Sequence, residues 1–194
     1  MKRQTDLQAV NDRVIVFDGA FGTFVQDLDL GPDDFGGAAL EGCNEMLCLT
    51  RPDVIRSMHD AFLQVGVDAI ETASFGSFST VLTEYEIPEK SYELNVAAAS
   101  LAREMASSYE ADGRTRFVAG SMGPGTKLPS LGHIGFAELR DSYVEQARGL
   151  LDGGSDLFLI ETCMDLLQIK AAMQACRQAM KIVGREIPIQ VQVT

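Results

Sequence analysis

Basic residues are scarce in this chain: 16 Lys and Arg stand against 28 Asp and Glu, for a formal net charge of −12. Phosphate backbones are held by clustered Lys and Arg, so no nucleic-acid partner is expected. Long hydrophobic runs are missing too. None approaches the ~18 consecutive apolar residues that span a bilayer, and the opening MKRQTDLQAVNDR has no apolar leader segment. No membrane partner and a cytoplasmic location are the expectations. Cysteine is sparse: Cys43, Cys48, Cys163 and Cys176 are too few and too scattered for a disulfide framework without an export signal. The Cys43/Cys48 spacing suits chelation, yet no second Cys or His pair accompanies it, and both read as small apolar residues. Histidine is limited to His59 and His133. The first falls off the apolar stripe of its helix and the second in a Gly-rich turn, so both read as solvated surface. Repeats, linkers and low-complexity tracts are absent.

What is present is a core. With 46 % apolar residues among 194, the chain can fold as one domain. Five apolar runs are spaced along it: VIVFDGA (residues 14–20), DAIETASF (68–75), FVAGSMGP (117–124), DLFLIET (156–162) and the tail EIPIQVQVT (186–194). Helical periods separate them. Residues 52–65 place Ile55, Met58, Phe62 and Val65 on one stripe, with Pro52 in the first turn. Residues 165–183 carry Leu166, Ile169, Met173, Cys176, Met180 and Val183, and Asp165 with Gln168 resembles a capping box. Cys176 is therefore core filler. Residues 138–151 repeat the pattern with Leu139, Tyr143, Ala147 and Leu150, and residues 91–111 form an Ala-rich helix. Residues 29–49, rich in Gly and Asp, are the long irregular stretch, the kind that often serves as a lid or binding loop.

Alternation of near-continuous apolar strands with helices implies an α/β fold with a parallel sheet. A doubly wound sheet would carry a G-x-G-x-x-G phosphate turn after its first strand, whereas DGAFGT puts an acid there. A (β/α)8 TIM-type barrel gathers polar residues from several strand ends at one mouth, and Asp18, Glu71, Ser121, Glu161 and Thr194 all stand where strands run out. Such a barrel takes about 250 residues and eight strands. The expectation is an incomplete barrel of about five strand-helix units over residues 13–194, behind an N-terminal arm of residues 1–12. Asp18 can also be read as a cap for the helix beginning near Phe21. Glu161, behind DLFLI, must meet a cation, a hydrogen-bond donor or the open mouth. Glu71 reads as structural or as a neighbour of the site, and Asp165 as a helix cap.

Five stretches in order, DGAFGT at Asp18, GCNEMLCLTRPDVI at Gly42, DAIETASFGS at Asp68, FVAGSMGPGTKLP at Phe117 and LIETCMDLLQIKAA at Leu159, resemble the homocysteine S-methyltransferase family, most closely the homocysteine-binding domain of its cobalamin-dependent members. The resemblance implies a barrel that binds homocysteine at its mouth and a zinc ion, held by three cysteines, that activates the substrate sulfur to make methionine. Asp18 and Glu161 match acids that hold the ammonium end, and Gly19 and Ala20 offer backbone groups beside them. Ser74 and Phe75 match positions lining the substrate, and Ser121, Gly123 and Pro124 match a GSxGP turn. Two stretches depart from the family pattern, ETASFG standing for ETNTFG and GPGT for GPTG. The family's zinc cysteines follow its sixth and eighth strands, so the ligands are expected beyond Thr194 and none of this chain's cysteines matches them. Methylcobalamin is the implied methyl donor, with betaine or S-methylmethionine as alternatives. A thiol with a pKa near 8.5 needs a cation to become a thiolate at neutral pH, and an amino-acid ammonium needs carboxylates, so the chemistry agrees with the resemblance. The implied partners are homocysteine and either downstream domains or a partner chain that completes the barrel. The competing reading is a non-catalytic half-barrel used for binding or assembly.

Overall fold

The computed structural model describes residues 6–194; residues 1–5, part of the expected arm, lie outside the described residues. In chain order the α-helices are α1 (Asp6–Asp12), α2 (Phe21–Gln26), α3 (Pro32–Phe35), α4 (Leu47–Thr50) and α5 (Pro52–Gln64). After strand β1 (Ala69–Glu71) come α6 (Ser79–Leu82) and α7 (Ser91–Ser108), followed by β2 (Phe117–Met122), α8 (Phe136–Gly153), β3 (Leu157–Cys163), α9 (Leu166–Val183) and β4 (Ile189–Val193). The strands pair in parallel in the order β1-β2-β3-β4, with Ala69 opposite Phe117, Ala119 opposite Leu157 and Phe158 opposite Ile189.

The first apolar run is not a full strand. It lies beside β1 as an extended segment with one parallel bridge, Phe17 to Ala69. Backbone bonds run from Asp68 N to Val16 O (2.8 Å) and from Asp18 N to Ala69 O (3.0 Å). The carboxylate of Asp68 intervenes: it accepts from Val16 N at 3.0 Å and pairs with Arg13 and Arg114 at 2.6 Å each. A side chain thus takes a backbone donor that a longer ladder would use.

Alternation sorts the strands between two faces. On the concave face Ala69, Phe117, Ala119, Leu157 and Leu159 pack with Ile15, Phe17 and, from the expected arm, Ala9 of α1. On the convex face Ile70 and Val118 meet Leu63, Ala102 and Ala106 from α5 and α7. Phe158 and Ile160 meet Tyr143, Ala147, Leu150, Ala172 and Cys176 from α8 and α9. Gly149 and Gly153 let α8 close on α7, since a Cβ at either would lie 2.7 Å from a carbonyl oxygen, that of Tyr92 or Val96.

Several expectations need correction. His59 is fully buried rather than solvated, because α5 is covered along Ile55, His59 and Leu63 as well as along Met58. Val65, expected on the stripe, is 79 % exposed just past the helix end. The helix begun at Ser91 stops at Ser108, and a 3-10 turn over Glu110–Asp112 leads into Gly113. Residues 29–49 are a chain of short helical turns, with Phe35, Leu47 and Cys48 packed on Val54, Ile55, Ala98 and Leu101. Asp165 does cap α9, accepting from Leu167 N at 2.8 Å and Gln168 N at 3.4 Å. The reciprocal half of the box is replaced, for the Gln168 side chain donates to Pro124 O.

Candidate active site

A cavity of about 360 Å³ opens where β1, β2 and β3 run out. Its floor follows from strand parity. After Ala69, Ala119 and Leu159, the next concave positions are Glu71, Ser121 and Glu161, and all three line the cavity. Asp18, Gly19 and Ala20 enter from the segment beside β1, and Phe75 from the loop after it. Ser74 is placed otherwise: it is fully buried beneath the cavity, its hydroxyl donating to Ser121 O at 2.8 Å and its carbonyl accepting from Gln146 Nε2 at 2.7 Å. Phe75 lies over Gly123, where a Cβ would come within 2.6 Å of its ring, and the Gly123 N–H donates to Phe75 O at 2.9 Å. The GSxGP turn therefore serves to seat the aromatic ring.

Asp18 does not cap α2, whose N-cap is Ala20 with no side-chain bond. Its two carboxyl oxygens accept from Glu71 N at 3.0 and 3.1 Å. Burial nevertheless pushes Asp18 up to about 7, the Glu71 amide opposing and the charge of Glu161 adding. Glu71 is pushed up to about 8, first by burial and then by Glu161 and Asp18. Glu161 accepts from Ser121 Oγ at 2.6 Å. Burial raises its pKa, while the hydrogen bond from the Ser121 hydroxyl pulls the other way. Three carboxyl groups thus share one recess and hold back from ionising together, which is what a site waiting for a cation looks like.

Sequence reasoning put Glu71 at a strand end but read it as structural or as a neighbour of the site, and it missed Glu45 and Thr162. The Glu71 signal was available: Ile-Glu-Thr recurs at residues 70–72 and 160–162, at two strand ends. Glu45 lines the cavity from the turn Asn44–Met46 and accepts from Gly76 N at 2.7 Å, tying that turn to the loop that carries Phe75; burial raises its pKa. Thr162 lines the cavity with a backbone φ of 58°, which for a β-branched residue costs of order 1–3 kcal/mol.

The family model for homocysteine S-methyltransferase matches residues 15–194. This chain belongs to that family. Among homocysteine S-methyltransferase relatives, methionine synthase of Mycobacterium tuberculosis (strain ATCC 25618 / H37Rv) is 48 % identical over 188 residues, 97 % of this chain and 16 % of that protein. Methionine synthase of Mycobacterium leprae (strain TN) is 48 % identical over 188 residues, covering 97 % of this chain and 15 % of its own. This chain therefore spans about a sixth of those proteins. The homocysteine methyltransferase MmuM from Escherichia coli, in its metallated form, superposes with a TM-score of 0.72 at 23 % identity over 94 % of this chain and 64 % of that one. Its oxidized form gives 0.74 at 22 % identity over 95 % and 64 %. At such identities the likeness is one of fold, and the fold is that of an incomplete TIM-type barrel.

The zinc that membership in the homocysteine S-methyltransferases implies does not fit the residues present. Among the described residues no three His, Cys, Asp or Glu are grouped to hold a metal ion. All four cysteines are buried. Burial pushes Cys43 up to about 12 and Cys163 to about 11, and holds Cys48 and Cys176 well above the usual thiol range. That is the opposite of what a thiolate ligand needs. Among the described residues no helix is long and apolar enough to cross a membrane.

Proposed function

We propose that this chain is the homocysteine-binding part of a methyltransferase that moves a methyl group to the homocysteine sulfur, giving methionine. The observation that carries the reading is the convergence of Asp18, Glu71 and Glu161 on one cavity. An amino-acid ammonium entering that recess supplies the positive charge the three acids lack. Backbone groups of Gly19 and Ala20 stand beside them, and the Phe75 ring, 37 % exposed, offers an apolar wall to the substrate's methylene chain. Residues of this chain bind and orient the amino-acid end, and they contribute no general base for the thiol. The reading takes zinc and the methyl donor, methylcobalamin, as belonging to a longer protein, in line with the short span of the methionine synthase relatives that the chain covers.

The two flanks of the sheet support the same view. Ile189–Val193 pairs on one side with β3, and the segment at Phe17 pairs on one side with β1. Further strands from the same protein or from a partner chain would close the barrel between them.

Binding should release protons. Near pH 7 the cavity holds protons on Asp18 and Glu71, and an arriving ammonium favours their ionisation. Calorimetric titration with homocysteine in buffers of different ionisation enthalpy should therefore show net proton release at pH 7, shrinking towards pH 9. Glu161→Gln should weaken binding about tenfold or more, as loss of a charged hydrogen-bonding partner does. Binding with no proton release and no effect of Glu161→Gln would place homocysteine elsewhere.

A further inference from the structure

One peptide plane in the cavity wall is clamped at both of its polar groups. It joins Phe75 to Gly76, and in a trans peptide the carbonyl and the N–H point to opposite sides. The carbonyl of Phe75 accepts from Gly123 N, just past β2, at 2.9 Å. The N–H of Gly76 donates to Glu45 Oε1, in the turn Asn44–Met46, at 2.7 Å. Gly76 is buried, so its donor needs an acceptor inside the protein, and a side chain 31 residues earlier supplies it.

Both ends of the clamp close on a glycine. A Cβ at Gly76 would lie 2.8 Å from Glu45 Oε1, and one at Gly123 would lie 2.6 Å from the Phe75 ring. Neither glycine has a positive φ. Close approach, not backbone freedom, is what glycine provides at these two positions.

The parts around the clamp are anchored as well. Cys43 and Met46, flanking the turn that carries Glu45, are buried with Leu82 and Leu94, and Thr50 Oγ1 donates to Met46 O at 3.0 Å. On the other side of Phe75, the Ser74 carbonyl accepts from Gln146 Nε2 at 2.7 Å and from Ser77 N at 3.0 Å. With the peptide planes before and after it held, Phe75 has little backbone freedom left, and its ring is directed from a fixed base. That ring, with Phe21 and Met58, makes up the large apolar part of the cavity lining. Asp18, Glu71 and Glu161 form the acidic part.

We propose that Glu45 is a positioning residue that sets substrate specificity: through the Gly76 N–H it holds the Phe75 ring at a fixed height over the cavity, and that height selects the length of methylene chain between the amino-acid end and the sulfur. The proposal rests on the homocysteine reading above and deepens it. Glu45 acts through Phe75 and not on the reacting sulfur.

Cysteine offers the same ammonium, carboxylate and thiol as homocysteine with one methylene fewer, so the ratio of the two affinities isolates the apolar wall. Calorimetry on the whole chain measures both amino acids, with melting and amide exchange at Gly76 followed in parallel. The parent should prefer homocysteine by about tenfold or more, the worth of one methylene in an apolar pocket. Glu45→Ala removes the acceptor, and Gly76→Ala pushes it away from the opposite side. Each should quicken exchange at residue 76 and bring the preference down to about threefold or less. Because both break one bond, the double variant should lose no more than either alone. Glu45→Gln, which keeps an acceptor oxygen, should restore most of the preference. A merely structural tie would lower melting and weaken both amino acids alike; a parental ratio in Glu45→Ala and Gly76→Ala would therefore overturn the proposal while leaving the homocysteine reading in place. A glutamine variant as unselective as alanine, or a parent that binds the two amino acids equally, would overturn it too. A parent that binds neither would remove the homocysteine reading and the proposal together.

Discussion

Buried acids and buried bases make folding depend on pH in opposite senses, and this chain has both. His59 is fully buried with neither ring nitrogen hydrogen-bonded, and burial lowers its pKa from 6.5 to about 4. The unfolded chain takes up a proton on this ring below pH 6.5, and the folded chain does so only near 4. Stability is therefore complete above pH 6.5, falls as pH drops through that window and levels off below it. Between pH 7 and pH 5 the residue should cost about 2 kcal/mol, seen as the difference in urea-unfolding pH profiles between the parent and His59→Leu. Glu71 acts the other way. Its folded pKa of about 8 lies above the ordinary 4.5, so the folded chain holds the extra proton, and stability is lost as pH rises from 4.5 through 8. Glu71→Gln should melt a few degrees above the parent at pH 9 and match it at pH 4; equal melting at both would mean that Glu71 is not buried against other acids. The burial of His59 was not read from sequence: the helix stripe was drawn through Ile55, Met58, Phe62 and Val65, while the covered face is broader and includes the ridge of Ile55, His59 and Leu63.

Elements were far more legible than their ends. Apolar runs near residues 117, 157 and 189 and the stripes of α5, α8 and α9 follow from period alone, because a strand or helix packed on one face must repeat its apolar residues. The register shift between Ile160 and Cys163 does not follow: the same Ile-Glu-Thr triplet ends β1, whose ladder with β2 is regular. The segment at residues 14–17 fell short of a strand for a nonlocal reason, the capture of Val16 N by Asp68. Asp165 is the end that was legible, and it does more than cap α9, since its second oxygen accepts from Ser130 N at 2.9 Å. Asp165→Ala should cost about 1 kcal/mol for the lost cap, lowering the melting temperature by roughly 2–4 °C. Hydrogen exchange should also quicken at Ser130 as well as at Leu167. Faster exchange at Leu167 alone would show that the tie to Ser130 carries no weight.

At the scale of the whole molecule, the sheet is open. Val193 in β4 is 65 % exposed, and Met164 and Leu166 beside the same end of the sheet are 68 % and 64 % exposed. An unpaired strand edge with apolar neighbours recruits further strands. Sedimentation of the chain should show concentration-dependent self-association, and Val193→Lys should reduce it while leaving the melting temperature within about 2 °C, as an exposed surface change does. A single monomeric species at all concentrations would mean that the edge is protected. One feature of the sheet bears on how the protein is made. Its strands lie side by side in the order in which they occur in the chain, so β2, β3 and β4 each have a partner that leaves the ribosome one unit earlier, and the pairing of these four strands can follow the order of translation.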